Sequence, residues 1–299
     1  VIIKTMFCKV NRISLRLVAS VLLQSQVVAS FSTVPFPPSS SSIMFSIQSH
    51  VADIVSRSPG ASAIFDKYQI DFCCGGAISL QTACESKGIS PTSVLAEIHE
   101  TIAKSAPSNH DESAGGFNDD DLKQHDWLHE ENVNTIIDHI LDTYHAPLKT
   151  EMIRLDNLMN KVANRHGPGH PELLKMHPIT TSLFEELKMH LMKEETILFP
   201  YMRDIYAKWV DDSNPVPKAH CGSVGNPIRV MEQEHEHAGD ALKELRLLSK
   251  DYTVPEGGCN SYKALYQGLN QLEYDLHRHI HLENYVLHPL AKKMEQEIQ

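Results

Sequence analysis

His190-Leu-Met-Lys-Glu-Glu-Thr-Ile-Leu-Phe-Pro200 and His279-Ile-His-Leu-Glu-Asn-Tyr-Val-Leu-His-Pro289 are one pattern written twice. Each has a histidine, a glutamate four residues later, a leucine four beyond that (Leu198, Leu287) and a proline six beyond the glutamate (Pro200, Pro289). A spacing of four puts both side chains on one face of a helix. Incidental His–Glu pairs on a solvated face would also show such a spacing, but less readily twice with the same followers. His190 lies three residues after Leu187, and Glu194 four before Leu198. Both therefore sit beside an apolar stripe, where ionisable groups need partners or a metal.

The surroundings read as helix. Apolar residues recur at helical spacing, as in Val133, Ile137, Ile140 and Tyr144, or Leu242, Leu245 and Leu248. Four long helical patterns cover about 127–162, 171–209, 228–252 and 260–296, with Pro178 as a point where the second can break. Loops rich in Gly, Pro and Asn separate them, and strand-like alternation is nearly absent. The expected fold is all-α: a four-helix up-down bundle over residues 123–299.

Two helices with the repeat leave two others to complete a site. On the first, His129, His139 and His145 are available; His145 shares a face with Ile137, Leu141 and Leu148, whereas His139 falls on a polar face. On the third, His235 shares a face with Met231, Ala238 and Leu242, whereas His237 falls near Glu234 and Lys243. The expected ligands are His145, His190, Glu194, His235, His279 and Glu283. Four imidazoles and two carboxylates suit two borderline first-row ions such as iron, two histidines to each ion and both glutamates bridging. Ferritin-like bundles use Glu-x-x-His at a spacing of three and mostly carboxylates, the reverse of this pattern.

Residues 45–104 read as a small helical domain. Ser58-Pro59 and Ser90-Pro91 are helix starts, for about 60–68 and 92–104. Between them Asp71-Phe-Cys-Cys-Gly-Gly76 is a turn with adjacent cysteines. These are two small buried residues, or an exposed thiol pair that contacts a client, accepts nitric oxide or links two chains into a homodimer. Residues 105–122 are polar and end in an acidic run, as a linker does.

Residues 1–44 contain four basic residues, many serines and no acid. They read as a mitochondrial-type transit peptide, a secretory signal around Leu17–Leu23, or translated sequence upstream of a start at Met44. Six cysteines without a CxxC pair argue against a thiolate zinc site or a disulfide framework, and for a reducing, cytoplasmic setting. Cys84, Cys221 and Cys259 read as structural or incidental. The net charge of −11 leaves no electrostatic footprint for nucleic acid, and no apolar stretch is long enough to span a membrane.

On these residues the chain resembles the hemerythrin-like proteins. It resembles more closely the di-iron family of iron–sulfur cluster repair, over about 45–291. The motifs are Asp71–Gly76, Asp138-His-Ile-Leu-Asp-Thr-Tyr-His145, Met231-Glu-Gln-Glu-His235 and the two repeats. The resemblance implies a two-iron centre on the six residues above, with the thiol pair Cys73 and Cys74 acting beside it. It also implies repair of clusters damaged by nitric oxide or oxidative stress, with iron–sulfur client proteins as partners. Oxygen-carrying hemerythrins have a further histidine four residues beyond the helix-three ligand; here that residue is Gly239. This implies a more open site. The competing functions are an oxygen or nitric oxide sensor or carrier, and a nitric oxide reductase. Pro147, just after His145, is expected to kink the first helix.

Overall fold

Asn132 opens the bundle by accepting the N–H groups of Asn134 and Thr135 on its side-chain oxygen, at 3.0 and 3.4 Å. An asparagine in that position satisfies donors that a helix start leaves unpaired. The computed structural model describes residues 45–105, 126–218 and 222–299. The expectations for 1–44, for the linker from residue 106 and for Cys221 lie outside these residues.

The leading segment holds α1 (Val51–Arg57), α2 (Ala61–Lys67), α3 (Leu80–Glu85) and α4 (Pro91–Ser105). Ser79 caps α3 through the Thr82 N–H at 3.1 Å. Ser58, expected as a cap for α2, instead offers its carbonyl to Ala61 N–H. Ile54, Phe65, Phe72, Leu80, Val94 and Ile98 form its core, and Ile280 of the bundle belongs to the same cluster. The leading segment is therefore packed onto the fourth bundle helix.

That bundle comprises four long helices. The first is α5 (Val133–His139), a π turn (Ile140–His145) and α6 (Ala146–His166), preceded by a 3-10 turn at Trp127–His129. The second is α7 (Pro171–Lys193), a π turn (Glu194–Leu198) and α8 (Phe199–Val210). The third is α9 (Gly225–Leu248); the fourth is α10 (Asn260–Leu282), a π turn (Glu283–Leu287) and α11 (His288–Glu297). Helix α6 packs on α7 and α10, α7 packs on α9, and α8 packs on α5 and α11. Among the described residues there is no strand, only one isolated bridge between His50 and Ser79.

Two proline expectations are not met. Helix α7 runs unbroken through Pro178. Pro147 does not break the first helix, because the π turn before it widens the backbone; a proline ring otherwise clashes with the carbonyl four residues back. Pro200 and Pro289 stand likewise at the starts of α8 and α11. The third helix ends before the expected 252 because Lys250, Asp251 and Tyr252 take φ of 51, 58 and 51°.

The bundle interior has three levels. One apolar cluster includes Leu155, Phe184, Leu242 and Leu272; the other includes Ile137, Met202, Met231 and Leu287. Between them lies a layer of buried histidine and glutamate.

Candidate metal centre

The layer is assembled from one residue or pair per helix. His145 closes the first π turn, His190 and Glu194 straddle the start of the second, His235 is in mid-α9, and His279 and Glu283 straddle the third. All six are buried, and both glutamates have no exposure at all. The structure thus brings together all six residues chosen from helix faces. His139 is half-buried, tilted against the Trp127 ring and edge-on to Tyr144, and His237 is exposed.

They fall into two sets, His145 with His279 and His190 with His235, and each set includes Glu194 and Glu283. The Nε2 atoms of His145 and His279 are 3.0 Å apart, as are those of His190 and His235. Glu283 Oε1 is 3.0 Å from His279 Nε2, and Oε2 is 3.1 Å from His235 Nε2. Glu194 Oε1 is 3.3 Å from His190 and Oε2 3.5 Å from His145. An ion with bonds of about 2.1 Å holds neighbouring ligand atoms about 3 Å apart when they subtend a right angle. Each glutamate spans both sets, one oxygen to each.

Three acceptors behind the histidines set the chemistry. His145 Nδ1 meets Glu195, His190 Nδ1 meets Glu234 and His235 Nδ1 meets Asn284 Oδ1, each at 2.9 Å. Asn284 Nδ2 donates to the Cys73 carbonyl at 3.0 Å, which fixes its amide orientation. Each of these Nδ1 atoms therefore donates, so once the second ring proton is displaced each ring offers an Nε2 lone pair inward. At 3.0 Å the Nε2 atoms of His190 and His235 need a cation between them, either a proton on one ring or a metal ion. Both oxygens of Glu194 and Oε2 of Glu283 have no hydrogen-bond partner among the described residues. Buried carboxylate oxygens without donors are costly, and a metal ion removes that cost. The donor set fits a pair of cations.

Protonation follows the same charges. Burial opposes charge on His190, but Glu194 and Glu234 bring it up to about 10. Burial and the His190 charge push His235 down. Burial would raise Glu283, yet His279, His145 and His235 hold it well below the usual carboxylate range. The two carboxylates draw positive charge into the layer.

The outer acceptors Glu195, Glu234 and Asn284 were not singled out from sequence. Each is the immediate neighbour of one of the six, and Glu195 and Asn284 occupy the same place in the two repeats. That shared place was the available signal.

The Asp71–Gly76 turn is held tightly. Asp71 Oδ1 accepts from Cys73 N at 3.2 Å and Cys74 N at 2.9 Å. Gly76 is required: a Cβ there would meet Phe72 O at 2.5 Å and Ala52 Cβ at 2.9 Å. The expectation of two exposed thiols needs correction. Cys73 is 5% exposed because it packs into the core of the leading segment, and only Cys74 is half-open. His281 Nδ1 donates to Phe72 O at 3.0 Å, and Tyr285 OH to Cys74 O at 3.1 Å. With Asn284 on Cys73 O, three consecutive carbonyls of the turn are taken by residues flanking Glu283.

Two cavities reach the layer. One of about 400 Å³ opens between α7 and α9 onto His190, His235 and His279. Another of about 530 Å³ opens between the first and fourth helices onto Tyr144 and His279. Gly239 is buried, and a Cβ there would meet nothing within 4 Å.

Residues 136–291 match the hemerythrin HHE cation binding domain, and residues 47–102 match ScdA_N, a domain of unknown function. A Haemophilus influenzae protein named "Probable iron-sulfur cluster repair protein" is 33% identical over 245 residues, 81% of this chain and 96% of its own. This chain belongs to the iron–sulfur cluster repair protein family. The Staphylococcus haemolyticus member ScdA is 31% identical over 82% of this chain and 98% of its own. The Escherichia coli O157:H7 member YtfE is 36% identical over 78% and 91%. The family similarity spans both the small leading segment and the bundle. No described helix is long and apolar enough to cross a membrane.

Proposed function

We propose that this protein repairs iron–sulfur clusters damaged by nitric oxide or oxidative stress, working from two iron ions held by His145, His190, Glu194, His235, His279 and Glu283. The observation that carries the iron count is the pairing of imidazoles: two sets of facing Nε2 atoms, each at 3.0 Å, share the same two carboxylates. When bound, the ions supply one-electron chemistry, a place for a diatomic ligand, and iron for donation.

The protein's own part is positional. Glu195, Glu234 and Asn284 hold three rings in the tautomer that presents Nε2. Glu194 and Glu283 supply the negative charge that retains the ions. The apolar clusters close the layer on both sides along the bundle axis. The two cavities, lined largely by apolar atoms near Leu187 and Leu276, admit a molecule as small as nitric oxide. Gly239 stands where a five-histidine centre has its further ligand, and one imidazole fewer favours reaction or release over reversible carriage. The partners are iron–sulfur proteins, met in a reducing, cytoplasmic setting where Cys73 and Cys74 remain thiols.

Iron content and absorption spectra of the wild type, His190→Ala and Glu283→Ala test the site. Two irons per chain, lost together in Glu283→Ala, are expected; one iron per chain in the wild type overturns the pair. Reactivation of a nitric-oxide-damaged cluster enzyme tests the activity, and no gain over free ferrous iron refutes it.

A further inference from the structure

Outside the histidine–glutamate layer, one more group of side chains among the described residues has metal-ligand geometry. Asp71, Cys73 and Cys74 each bring a ligand atom within 4.8 Å of the others. The two Sγ atoms are 3.6 Å apart, and Cys73 Sγ is 3.5 Å from Asp71 Oδ1. A tetrahedral ion with bonds of about 2.3 Å to sulfur and about 2.1 Å to oxygen sets these edges at about 3.8 and about 3.6 Å. We propose that Asp71, Cys73 and Cys74 form a second metal site, an open three-ligand site for one borderline divalent ion of the iron(II) class.

The ligands are held in place before any ion arrives. Asp71 is fixed by the N–H groups of Cys73 and Cys74. The carbonyls of Phe72, Cys73 and Cys74 are fixed by His281, Asn284 and Tyr285. Pre-set ligands lose little freedom on binding. Both cysteines line a cavity of about 550 Å³, whose far wall is α9 at Glu236, Gly239, Asp240 and Lys243. Three protein ligands with a fourth position facing a cavity leave room for water or an incoming ligand, as in reactive rather than structural metal sites.

Charge also balances. A divalent ion displaces one proton from each thiol and binds the carboxylate already ionised, releasing two protons. The resulting group carries one net negative charge. Lys243, close enough to interact with Asp71 and Cys74, offsets it. No electron is transferred. The Cys73 carbonyl is one amide away from His235, through Asn284. Reading the ion as ferrous iron passing to or from the layer rests on the proposed repair function; the binding itself does not.

Cobalt(II), titrated into the full reduced chain, is the probe, because thiolate bound to cobalt adds a near-ultraviolet charge-transfer band that imidazole and carboxylate do not give. The expected result is a band whose saturated amplitude corresponds to one thiolate-bound cobalt per chain, in addition to the cobalt taken up by the layer. It should vanish in the Cys73→Ser, Cys74→Ser double variant, while cobalt in the histidine–glutamate layer remains. Asp71→Asn keeps an acceptor oxygen for both N–H groups and removes only the charge. It should weaken the band's apparent affinity on the order of tenfold. His190→Ala should lose metal from the layer and keep the band, so the two sites can fail separately. No band in the reduced wild type, or a band that survives the double cysteine change, overturns the proposal.

Discussion

The bundle layer and the cysteine turn gather ligand atoms by opposite means. In the layer, six side chains from four helices converge across up to 138 positions of sequence, from His145 to Glu283, and two apolar clusters clamp them. In the turn, three side chains from four consecutive residues are shaped by backbone hydrogen bonds. The first arrangement is rigid because the fold is; the second is rigid only while its carbonyls stay bonded to residues 281–285. On the proposed reading, the layer retains ions, and the turn's grip on an ion depends on its neighbour.

The largest expected break comes from Glu283→Ala. It removes an oxygen from each set at once, so iron content should fall from about two per chain to near zero by elemental analysis. Metal bound at the turn should be kept, because none of its ligands changes. Next is the clamp: Leu198, four residues after Glu194, is fully buried, and Leu198→Ala should cost about 2–5 kcal/mol in chemical denaturation. The comparison is sharpened by Asn284→Ala, which touches both regions. It should weaken iron binding in the layer about 10–100-fold, measured by chelator competition, and raise the alkylation rate of Cys74.

The smallest effect is one of pH. His281 is buried, with Nδ1 on Phe72 O and Nε2 accepting from Ser56 Oγ at 2.9 Å, and burial lowers it from 6.5 to about 4. A base held neutral in the fold favours the folded state above its unfolded value. That contribution is complete above about pH 6.5 and is lost as the pH falls toward about 4. The Tm difference between wild type and His281→Gln should therefore shrink over that range. A difference that stays constant would detach His281 from the docking of the leading segment.

Much of the layer was legible because helical spacing is local. His190 with Glu194 and His279 with Glu283 needed only a period of 3.6, and His145 and His235 needed only a choice among faces. The outer acceptors were harder. Glu195 serves a histidine 50 positions earlier and Asn284 one 49 positions earlier, and no local rule links them. The docking of Cys73 against Asn284, 211 positions apart, was invisible for the same reason, so the sequence left open whether the cysteines are buried or exposed. The prolines at 147, 200 and 289 were visible; the π turns before them, at the layer, were not.

Those π turns have a consequence for chain length. Each inserts one residue where its helix passes from one apolar cluster to the other: Leu187 to Leu198, Leu276 to Leu287, and in reverse Ile140 to Leu148. One residue is about 100° of rotation. Helices one, two and four therefore change phase at the layer, while α9 keeps a single phase throughout. Deleting one residue within Glu194–Leu198 would turn Phe199, Met202 and Ile205 out of their cluster while leaving Leu183 and Leu187 in theirs. The layer is the joint at which two differently phased bundles are spliced into one.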